Sequence, residues 1–264
     1  MCIIAWITHP NDDFKLILIA NRDEAYSRPT ANSHFWTDKN IIASQDLLYY
    51  GTQLAIDLHG RMAALTNLAS EKNDNPNTLT RGLLTVNFFD HNDMKSYAES
   101  IQDTKYMPYN LLLGDFNENK YTMSYSKYNG EKNTLLDTGK VYVLENKGLF
   151  DYVERAEVTK EMFAKIVNNC VGKEDLIQEL FGLLHNENVF RFYPNINYGT
   201  RTQTIVLIDK NNRMTFIERL LYLMGSVIET NGPAPANIER QCHIINNGNS
   251  KWIENKYEYI ITKN

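Results

Sequence analysis

Cysteine, proline and glycine are all sparse in this chain of 264 residues, which contains three, seven and thirteen of them, respectively. The cysteines are Cys2, Cys170 and Cys242, and no CxxC pair occurs, which argues against a structural zinc site or a disulfide framework. The low proline and glycine contents exclude a fibrous or linker-dominated chain. These absences predict an ordinary globular protein of a reducing compartment.

Long apolar runs and an excess of positive charge are also lacking. Residues 220–228 form a mostly apolar run, whereas a membrane-spanning helix requires about 20 such residues, so no transmembrane segment is predicted. The first residues lack the basic segment and apolar core of a secretory signal, so we predict a cytoplasmic location. The formal net charge of −5 argues against a nucleic-acid partner, because binding phosphates requires clustered lysine and arginine.

The chain contains enough apolar material to build a core. Hydrophobic residues make up 43% of the sequence, which is typical of soluble globular proteins. No change of composition marks a linker, so we predict a single domain over residues 1–264. Residues 221–250, of which 230–250 are polar and rich in glycine, proline and asparagine, are predicted to form an inserted loop.

Strand patterns and helix patterns alternate in blocks along the chain. β-Branched and aromatic residues predict strands over 2–9, 14–21, 51–57, 61–68, 109–116, 120–128, 140–146, 202–209, 213–220 and 251–262. Helical periodicity covers 81–102 and 155–185. Residues 10–13 carry the turn chemistry of a hairpin between the first two strands, and residues 22–45 are predicted to be irregular.

This order of elements predicts the fold class. Consecutive strands joined by short turns imply antiparallel sheets, and two blocks of strands alternate with two blocks of helices. The prediction is an α/β (α+β) fold with four layers, an αββα sandwich whose sheets lie face to face with helices outside. The order alone leaves a two-layer α+β fold open.

Cys2 is the first candidate for chemistry. If Met1 is removed, Cys2 carries both a thiol and a free α-amine. Because an α-amine titrates at about 7.7–8.0, it can accept the thiol proton, which is the arrangement of an N-terminal nucleophile. The alternative interpretation is a small buried apolar residue at position 2.

The segment Asn21-Arg22-Asp23-Glu24 is the second candidate. In the predicted hairpin it lies opposite Cys2, so Arg22 is expected to lower the pKa of the thiol and Asp23 to hold the α-amine by a charge-assisted hydrogen bond. A solvated charged turn is the alternative interpretation.

Three further polar residues, Asn67, Asn146 and Arg201, stand at the ends of apolar strands. An asparagine amide can donate to an oxyanion and an arginine can pair with a carboxylate, although each residue also suits a strand cap. The six histidines form no HExxH motif, and neither a P-loop nor GxGxxG is present. No metal site and no nucleotide motif are therefore predicted.

Several segments in this order together resemble the NRDE family. They are MCII at 1–4, ANRDE at 20–24, SRP at 27–29, GRMAALTN at 60–67, RG at 81–82, YNLL at 109–112, YGTRT at 198–202 and FIER at 216–219. The resemblance extends from residue 1 to about residue 220. It implies the fold of the N-terminal nucleophile (Ntn) hydrolases, which agrees with the four layers predicted above.

The sequence also looks distantly similar to the cysteine amidases that cleave penicillin V and conjugated bile acids. That similarity implies that Cys2 is the nucleophile and supplies the base amine, and that Arg22 and Asp23 are its polar partners. It further implies that Asn67 and Asn146 are oxyanion or amine ligands and that Arg201 is a more distant charge.

The resemblance leaves two main functions open. Family members are linked to secretory and Golgi organisation, to haem mobilisation and to lipid metabolism through acyl-coenzyme A. The first expectation is a soluble binder or carrier of an amphipathic anionic ligand, with haem or coenzyme A as a transferred ligand rather than a resident cofactor. The expected ligand-binding residues are Asn21, Arg22, Glu24, Arg28, Arg61, Arg81 and Arg201. The alternative is an Ntn-type cysteine amidohydrolase that uses Cys2 on a small amide or acyl substrate; a scaffold protein without a ligand is a third possibility.

Overall fold

The computed structural model of the chain describes residues 2–117, 121–222, 227–228, 234–247 and 250–262. The strands are β1 (Ile3–Thr8), β2 (Phe14–Ala25), β3 (Thr30–Trp36), β4 (Ile41–Asp46), β5 (Leu54–Asp57), β6 (Arg61–Asn67), β7 (Tyr109–Asp115), β8 (Thr122–Lys127), β9 (Thr134–Leu135), β10 (Tyr142–Leu144), β11 (Phe192–Tyr193), β12 (Tyr198–Asp209), β13 (Arg213–Leu221), β14 (Val227–Ile228), β15 (Glu239–Asn247) and β16 (Ser250–Ile260). The α-helices are α1 (Gly82–Asn87), α2 (Met94–Ser100), α3 (Glu154–Asn169) and α4 (Lys173–Leu184).

The strands form two sheets that lie face to face. The first sheet has the order β10-β1-β2-β12-β13-β16-β15, with β11 added beside β12. The second sheet has the order β14-β3-β4-β5-β6-β7-β8-β9. Pairing is antiparallel throughout except between β14 and β3. Short turns between neighbouring strands explain this topology, because antiparallel strands need no crossover connection.

Each sheet is buried on both faces, which produces four layers. Along β1, Ile4 and Trp6 enter the core between the sheets, whereas Ile3, Ala5 and Ile7 pack under α3 and α4. The outer face of the second sheet packs against α1 and α2. Burial on both faces explains why strands such as β1 are apolar at almost every position instead of alternating. The predicted αββα sandwich is confirmed.

The hairpin predicted at the start of the chain is also confirmed. Strands β1 and β2 pair from Ile3 opposite Asn21 to Thr8 opposite Leu16. The side-chain oxygen of Asn11 accepts the backbone N–H groups of Asp13 and Phe14 and closes the turn. This register places Cys2 beside the end of β2.

The prediction of an irregular stretch over residues 22–45 is wrong. Strand β2 continues to Ala25 because β12 pairs with it as far as Ala25 opposite Tyr198. Strands β3 and β4 follow on either side of a turn. Their polar positions Asn32, Ser33 and Ser44 are buried, so these strands lack the apolar pattern that predicts a strand from sequence.

The segment 221–250, predicted to be an inserted loop, contains a long strand. Residues 223–226, 229–233 and 248–249 lie outside the described residues. Strand β15 pairs with β16 from Glu239 opposite Glu258 to Asn247 opposite Ser250. It lies at the edge of the first sheet, where polar residues are common because they discourage further strand pairing. None of the helices in the described part of the chain combines the length and apolarity needed to cross a bilayer.

Candidate functional site around Cys2

A small polar pocket lies where the ends of β1 and β2 meet the second sheet. Its volume is about 120 Å³. The lining residues come from both sheets and from the start of α1: Cys2, Arg22, Asp23, Glu24, Arg28, Thr30, Ser44, Asp46, Gly51, Thr52, Gln53, Leu65, Asn67, Thr80, Arg81 and Gly82. Leu65 is the one large apolar residue among them. The pocket is therefore built to contact polar or charged groups.

The thiol of Cys2 is buried in the wall of this pocket. Its S–H donates to the backbone carbonyl of Asp23, with an Sγ–O distance of 3.8 Å. The hydroxyl of Tyr198 donates to the same carbonyl at 3.0 Å. Burial raises the pKa of Cys2, and the negative charge of Asp23 raises it further, whereas Arg22 acts in the lowering direction. Arg22 thus acts on the thiol pKa in the expected direction, but burial outweighs its effect and the pKa is raised overall.

The carboxylate of Asp23 is held from one further strand, β12, and from one helix, α3. Its Oδ1 accepts the hydroxyl of Thr200 at 2.7 Å, and its Oδ2 lies 3.6 Å from Nη2 of Arg155. Burial raises the pKa of this carboxyl, while Arg155 and Thr200 oppose the rise. Arg155 also lies 2.9 Å from Oε1 of Glu145. One buried guanidinium therefore serves two buried carboxylates.

Arg155 was missed in the sequence, although a signal was present. It occupies the first turn of α3, on the same buried side as Thr159 and Phe163. These residues are spaced at i, i+4 and i+8, which is one face of a helix. An arginine on the buried face of a helix requires a buried acid, because an unpaired charge there is strongly unfavourable.

Three arginines reach the pocket, and two of them already have acidic partners. Nη2 of Arg22 lies 3.6 Å from Glu24. Nε of Arg28 donates to Oδ2 of Asp46 at 3.1 Å. Arg81 differs, because Nη1 donates to the backbone carbonyl of Pro108 at 2.7 Å and the guanidinium has no acidic partner among the described residues. Burial lowers the pKa of Arg81.

A contact between two glycines positions Arg81. A Cβ atom on Gly51 would lie 2.5 Å from the backbone carbon of Gly82, so only glycine fits this approach. The N–H of Thr52 donates to the carbonyl of Gly82 at 3.2 Å, and the hydroxyl of Thr85 donates to the carbonyl of Thr52. The start of α1 is thereby fixed against residues 51–52, and Arg81 precedes it at the pocket wall. This packing accounts for the RG pair noted in the sequence.

The structure brings seven of the predicted site residues to the pocket. They are Cys2, Arg22, Asp23, Glu24, Arg28, Asn67 and Arg81. Thr30 and Ser44 join them without having been predicted, since they lie in the strands β3 and β4 that the sequence did not indicate.

Four predicted residues lie elsewhere. Asn21 points away from Arg22 because neighbouring side chains alternate along a strand, and its Nδ2 donates to the carbonyl of Leu184 at 2.9 Å. Arg61 lies in a different depression, where its Nε donates to Oδ2 of Asp57 at 2.7 Å. The prediction that Arg61 belongs to the Cys2 pocket is therefore wrong.

Asn146 and Arg201 are buried and do not line the pocket. The backbone carbonyl of Asn146 accepts the N–H of Ala69 at 2.8 Å. The guanidinium of Arg201 donates to the carbonyls of Ala25, at 3.3 Å, and Arg28. It fixes the chain that carries Arg28, and burial together with Arg22 lowers its pKa to about 10. Within the described ranges, no group of three or more His, Cys, Asp or Glu side chains could hold a metal ion.

Comparison with known proteins adds a family to this geometry. The sequence model of Transport and Golgi organisation 2 matches residues 1–223. The chain belongs to this family. The human Transport and Golgi organization protein 2 homolog is 31% identical over 83% of this chain and 92% of its own length. The Drosophila melanogaster protein of the same name is 25% identical over 84% of this chain and 92% of its own length. The resemblance stated from the sequence is confirmed.

A solved structure supports the fold. The Caenorhabditis elegans ortholog of N-acylethanolamine-hydrolyzing acid amidase superposes with a TM-score of 0.50, covering 78% of this chain and 92% of that chain at 10% identity. That protein is an Ntn hydrolase, so the predicted Ntn-hydrolase-like fold is confirmed. At 10% identity this similarity shows a shared fold. It does not show a shared reaction, because one fold can support many different functions.

Proposed function

We propose that the chain binds the anionic group of a small amphipathic molecule in the Cys2 pocket, with Arg81 as the principal cation. The observation that carries this proposal is the difference between the pocket arginines: Arg22 and Arg28 lie beside carboxylates, and Arg81 is bonded to a carbonyl. The charge of Glu24 favours the ionised form of Arg81 but forms no ion pair with it, and a partly buried cation without a paired anion is unfavourable. A ligand carboxylate or phosphate supplies that charge, and arginine binds such groups in a bidentate way.

The size and lining of the pocket favour a phosphate-bearing ligand such as coenzyme A or acyl-coenzyme A over haem. Drug-sized ligands occupy pockets of about 300–1,000 Å³, whereas this cavity of about 120 Å³ suits a head group alone. Haem requires an apolar slot for its ring, and the lining residues of the described chain include no histidine that could bind its iron.

The apolar part of the ligand would remain at the mouth of the pocket. Leu48, Tyr49 and Tyr50 stand between the lining residues Asp46 and Gly51 and are exposed. The Arg28 guanidinium lies 5.3 Å from the centre of the Tyr49 ring. These residues offer an apolar surface next to the charged pocket, as an amphipathic ligand requires. In this proposal the ligand is transferred cargo, and the carrier acts in the cytoplasm.

Calorimetric titration with coenzyme A, a long-chain acyl-coenzyme A and haem tests the proposal. We expect both coenzyme A ligands to bind more tightly than haem. Arg81→Met keeps most of the side-chain volume and should weaken their binding about tenfold or more, because hydrogen bonds to charged groups contribute about 1.5–3 kcal/mol. Arg219→Met is the matched control, since Arg219 pairs with Glu254 outside the pocket. Equal affinities for the two variants would contradict the proposal.

A cysteine amidohydrolase is the second candidate, favoured by the joint presence of Cys2, Asp23 and Asn67 in one pocket. With Met1 removed, the α-amine would accept the thiol proton and Sγ would attack the carbonyl carbon of an amide, with the Asn67 amide donating to the oxyanion. The C–N bond of the substrate then breaks, and the substrate's amine leaves with the proton from the α-amine, giving a thioester on Cys2. Water then hydrolyses the thioester, which releases the acid and restores the thiol. Turnover of small amides that is lost in Cys2→Ala would support this function.

A further inference from the structure

Glu218 is a buried acid of the FIER segment that neither proposed function uses. It lies on β13, where Arg219 points outward to Glu254, so Glu218 points between the two sheets. The side chain is 3% exposed. From the first sheet it faces the second sheet, close to the residues that line the Cys2 pocket.

An irregularity in β3 provides the bond that holds Glu218. The register between β3 and β4 shifts between Ala31 and His34. The backbone N–H of Ser33, within this irregular stretch, donates to Oε1 of Glu218 at 3.0 Å. A strand bulge frees backbone groups from the ladder, and here the freed donor crosses to a carboxylate of the other sheet.

One hydrogen bond and one electrostatic interaction connect Glu218 to residues of the pocket. The Ser44 side chain hydrogen-bonds to the carboxylate, and the positive charge of Arg22 stabilises its ionised form. Ser44 and Arg22 both line the Cys2 pocket. Arg22 is held on this side of the pocket by Thr30, whose Oγ1 lies 3.4 Å from its Nη1. Glu218 therefore lies directly behind the wall that a bound anion would contact.

We propose that Glu218 determines the anion affinity of the Cys2 pocket, because its ionised carboxylate competes with a bound anion for the charge of Arg22, so that the anion is taken up together with a proton on Glu218. This inference rests on the proposed anion site. The proton comes from solvent and neutralises the carboxylate, and no other bond forms or breaks. Burial raises the pKa of Glu218 to about 7, so both of its forms are populated near neutral pH.

We next ask whether other groups around Glu218 could produce the same pH dependence of anion binding. From β16, burial raises the pKa of Tyr257 to about 12, so its phenol stays neutral near pH 7. From β15, the guanidinium of Arg240 lies 5.7 Å from the centre of the Tyr257 ring. From β3, His34 bonds to the carbonyl of Asn32 through Nδ1, and burial lowers its pKa. Of these three groups, only His34 has an ordinary pKa near this range, so it requires a control.

Sulfate is a suitable probe, because it keeps its charge across this pH range. Its dissociation constant can be measured by nuclear magnetic resonance titration at about pH 6 and pH 8 for the wild type, Glu218→Gln and His34→Gln. In Glu218→Gln, the side-chain amide has the size of the carboxyl group and can still accept and donate hydrogen bonds, but it carries no charge. We expect the wild type and His34→Gln to bind sulfate about tenfold more tightly at the lower pH, because the neutral carboxyl no longer competes for the charge of Arg22. Glu218→Gln should bind sulfate with the same affinity at both pH values, equal to the tighter affinity of the wild type at the lower pH.

The wild type alone supplies a second measurement. Sulfate binding near pH 7, followed by calorimetry in two buffers of different ionisation enthalpy, should take up a fraction of a proton. An equal pH dependence in Glu218→Gln, or no proton uptake by the wild type, would refute the role of Glu218 while leaving the anion site in place. A lack of sulfate binding by every protein at both pH values would refute the anion site itself and this proposal with it.

Discussion

The guanidinium of Arg155 lies 3.6 Å from the carboxylate of Asp23, which joins the first turn of α3 to the strand end that carries the pocket. Arg155 is also 2.9 Å from Glu145, and all three side chains are buried. The carbonyl of Val189 accepts a further hydrogen bond from Arg155. The layer that contains α3 thus reaches the Cys2 region through Arg155.

Replacing Arg155 by methionine should lower the free energy of unfolding by about 3–5 kcal/mol, because two buried carboxylates lose their cation. Urea unfolding measures this change. Lys165→Met, at an exposed position of the same helix, is the control and should stay within about 0.5 kcal/mol of the wild type. A loss below about 1 kcal/mol in Arg155→Met, typical of an exposed pair, would show that the charges are solvated.

Alanine at Gly51 should disturb both stability and ligand binding. The added Cβ would lie 2.5 Å from the Gly82 backbone, and such overpacking costs about 1–3 kcal/mol. Because the displaced segment carries Arg81, the affinity for coenzyme A should fall in the same variant.

Gly182→Ala is the matched control for this substitution. Gly182 lies within α4, and a Cβ there meets nothing within 4 Å. Alanine is the better helix former by about 1 kcal/mol, so thermal unfolding should be unchanged or occur at a higher temperature. Unaltered stability and binding in Gly51→Ala would contradict the close approach of the two glycines.

The strands and helices with simple periodicity were predictable from the sequence, and the polar interior was not. The hairpin of β1 and β2 follows from two apolar runs around a turn. Strand β3 escaped prediction because Asn32 and Ser33 are buried there although they are polar. Ser33 donates to Glu218, a contact that no local pattern contains.

The same limit applies to the candidate site. Cys2 and Arg22 could be paired from the hairpin register alone. The exclusion of Asn21 from the pocket follows from alternation once the face of β2 is known. Arg61 pairs with Asp57 across the turn between β5 and β6 and donates to the backbone carbonyl of His91. The second contact joins residues that are distant in sequence, so spacing along the chain does not predict it.

Stability should depend on pH through Glu218. Its pKa is raised from 4.5 to about 7 in the folded protein, so its contribution is fully present below pH 4.5 and is lost as the pH rises through 7. By linkage this amounts to about 3 kcal/mol. The free energy of unfolding of the wild type, relative to Glu218→Gln, should therefore fall by that amount between about pH 4 and pH 8. Urea unfolding measures both proteins at both pH values. The same difference in free energy of unfolding at pH 4 and at pH 8 would contradict the prediction.

The reactivity of Cys2 separates the two candidate functions. Its thiol is buried, and burial together with Asp23 raises its pKa, whereas Cys242 is exposed. Because the thiolate is the reactive form, iodoacetamide near pH 7 should modify Cys242 at least about tenfold faster than Cys2. Timed alkylation followed by peptide mass spectrometry measures both rates, and bound coenzyme A should slow the reaction at Cys2 further.

Intact-mass analysis of the same samples shows whether Met1 has been removed. In protein that lacks Met1, the α-amine of Cys2 is free to accept the thiol proton. If Cys2 then reacts faster than Cys242, the thiol is activated despite its burial. That outcome would contradict the prediction of an inert thiol and would favour the amidohydrolase over the carrier, because a carrier requires no thiolate in its binding pocket.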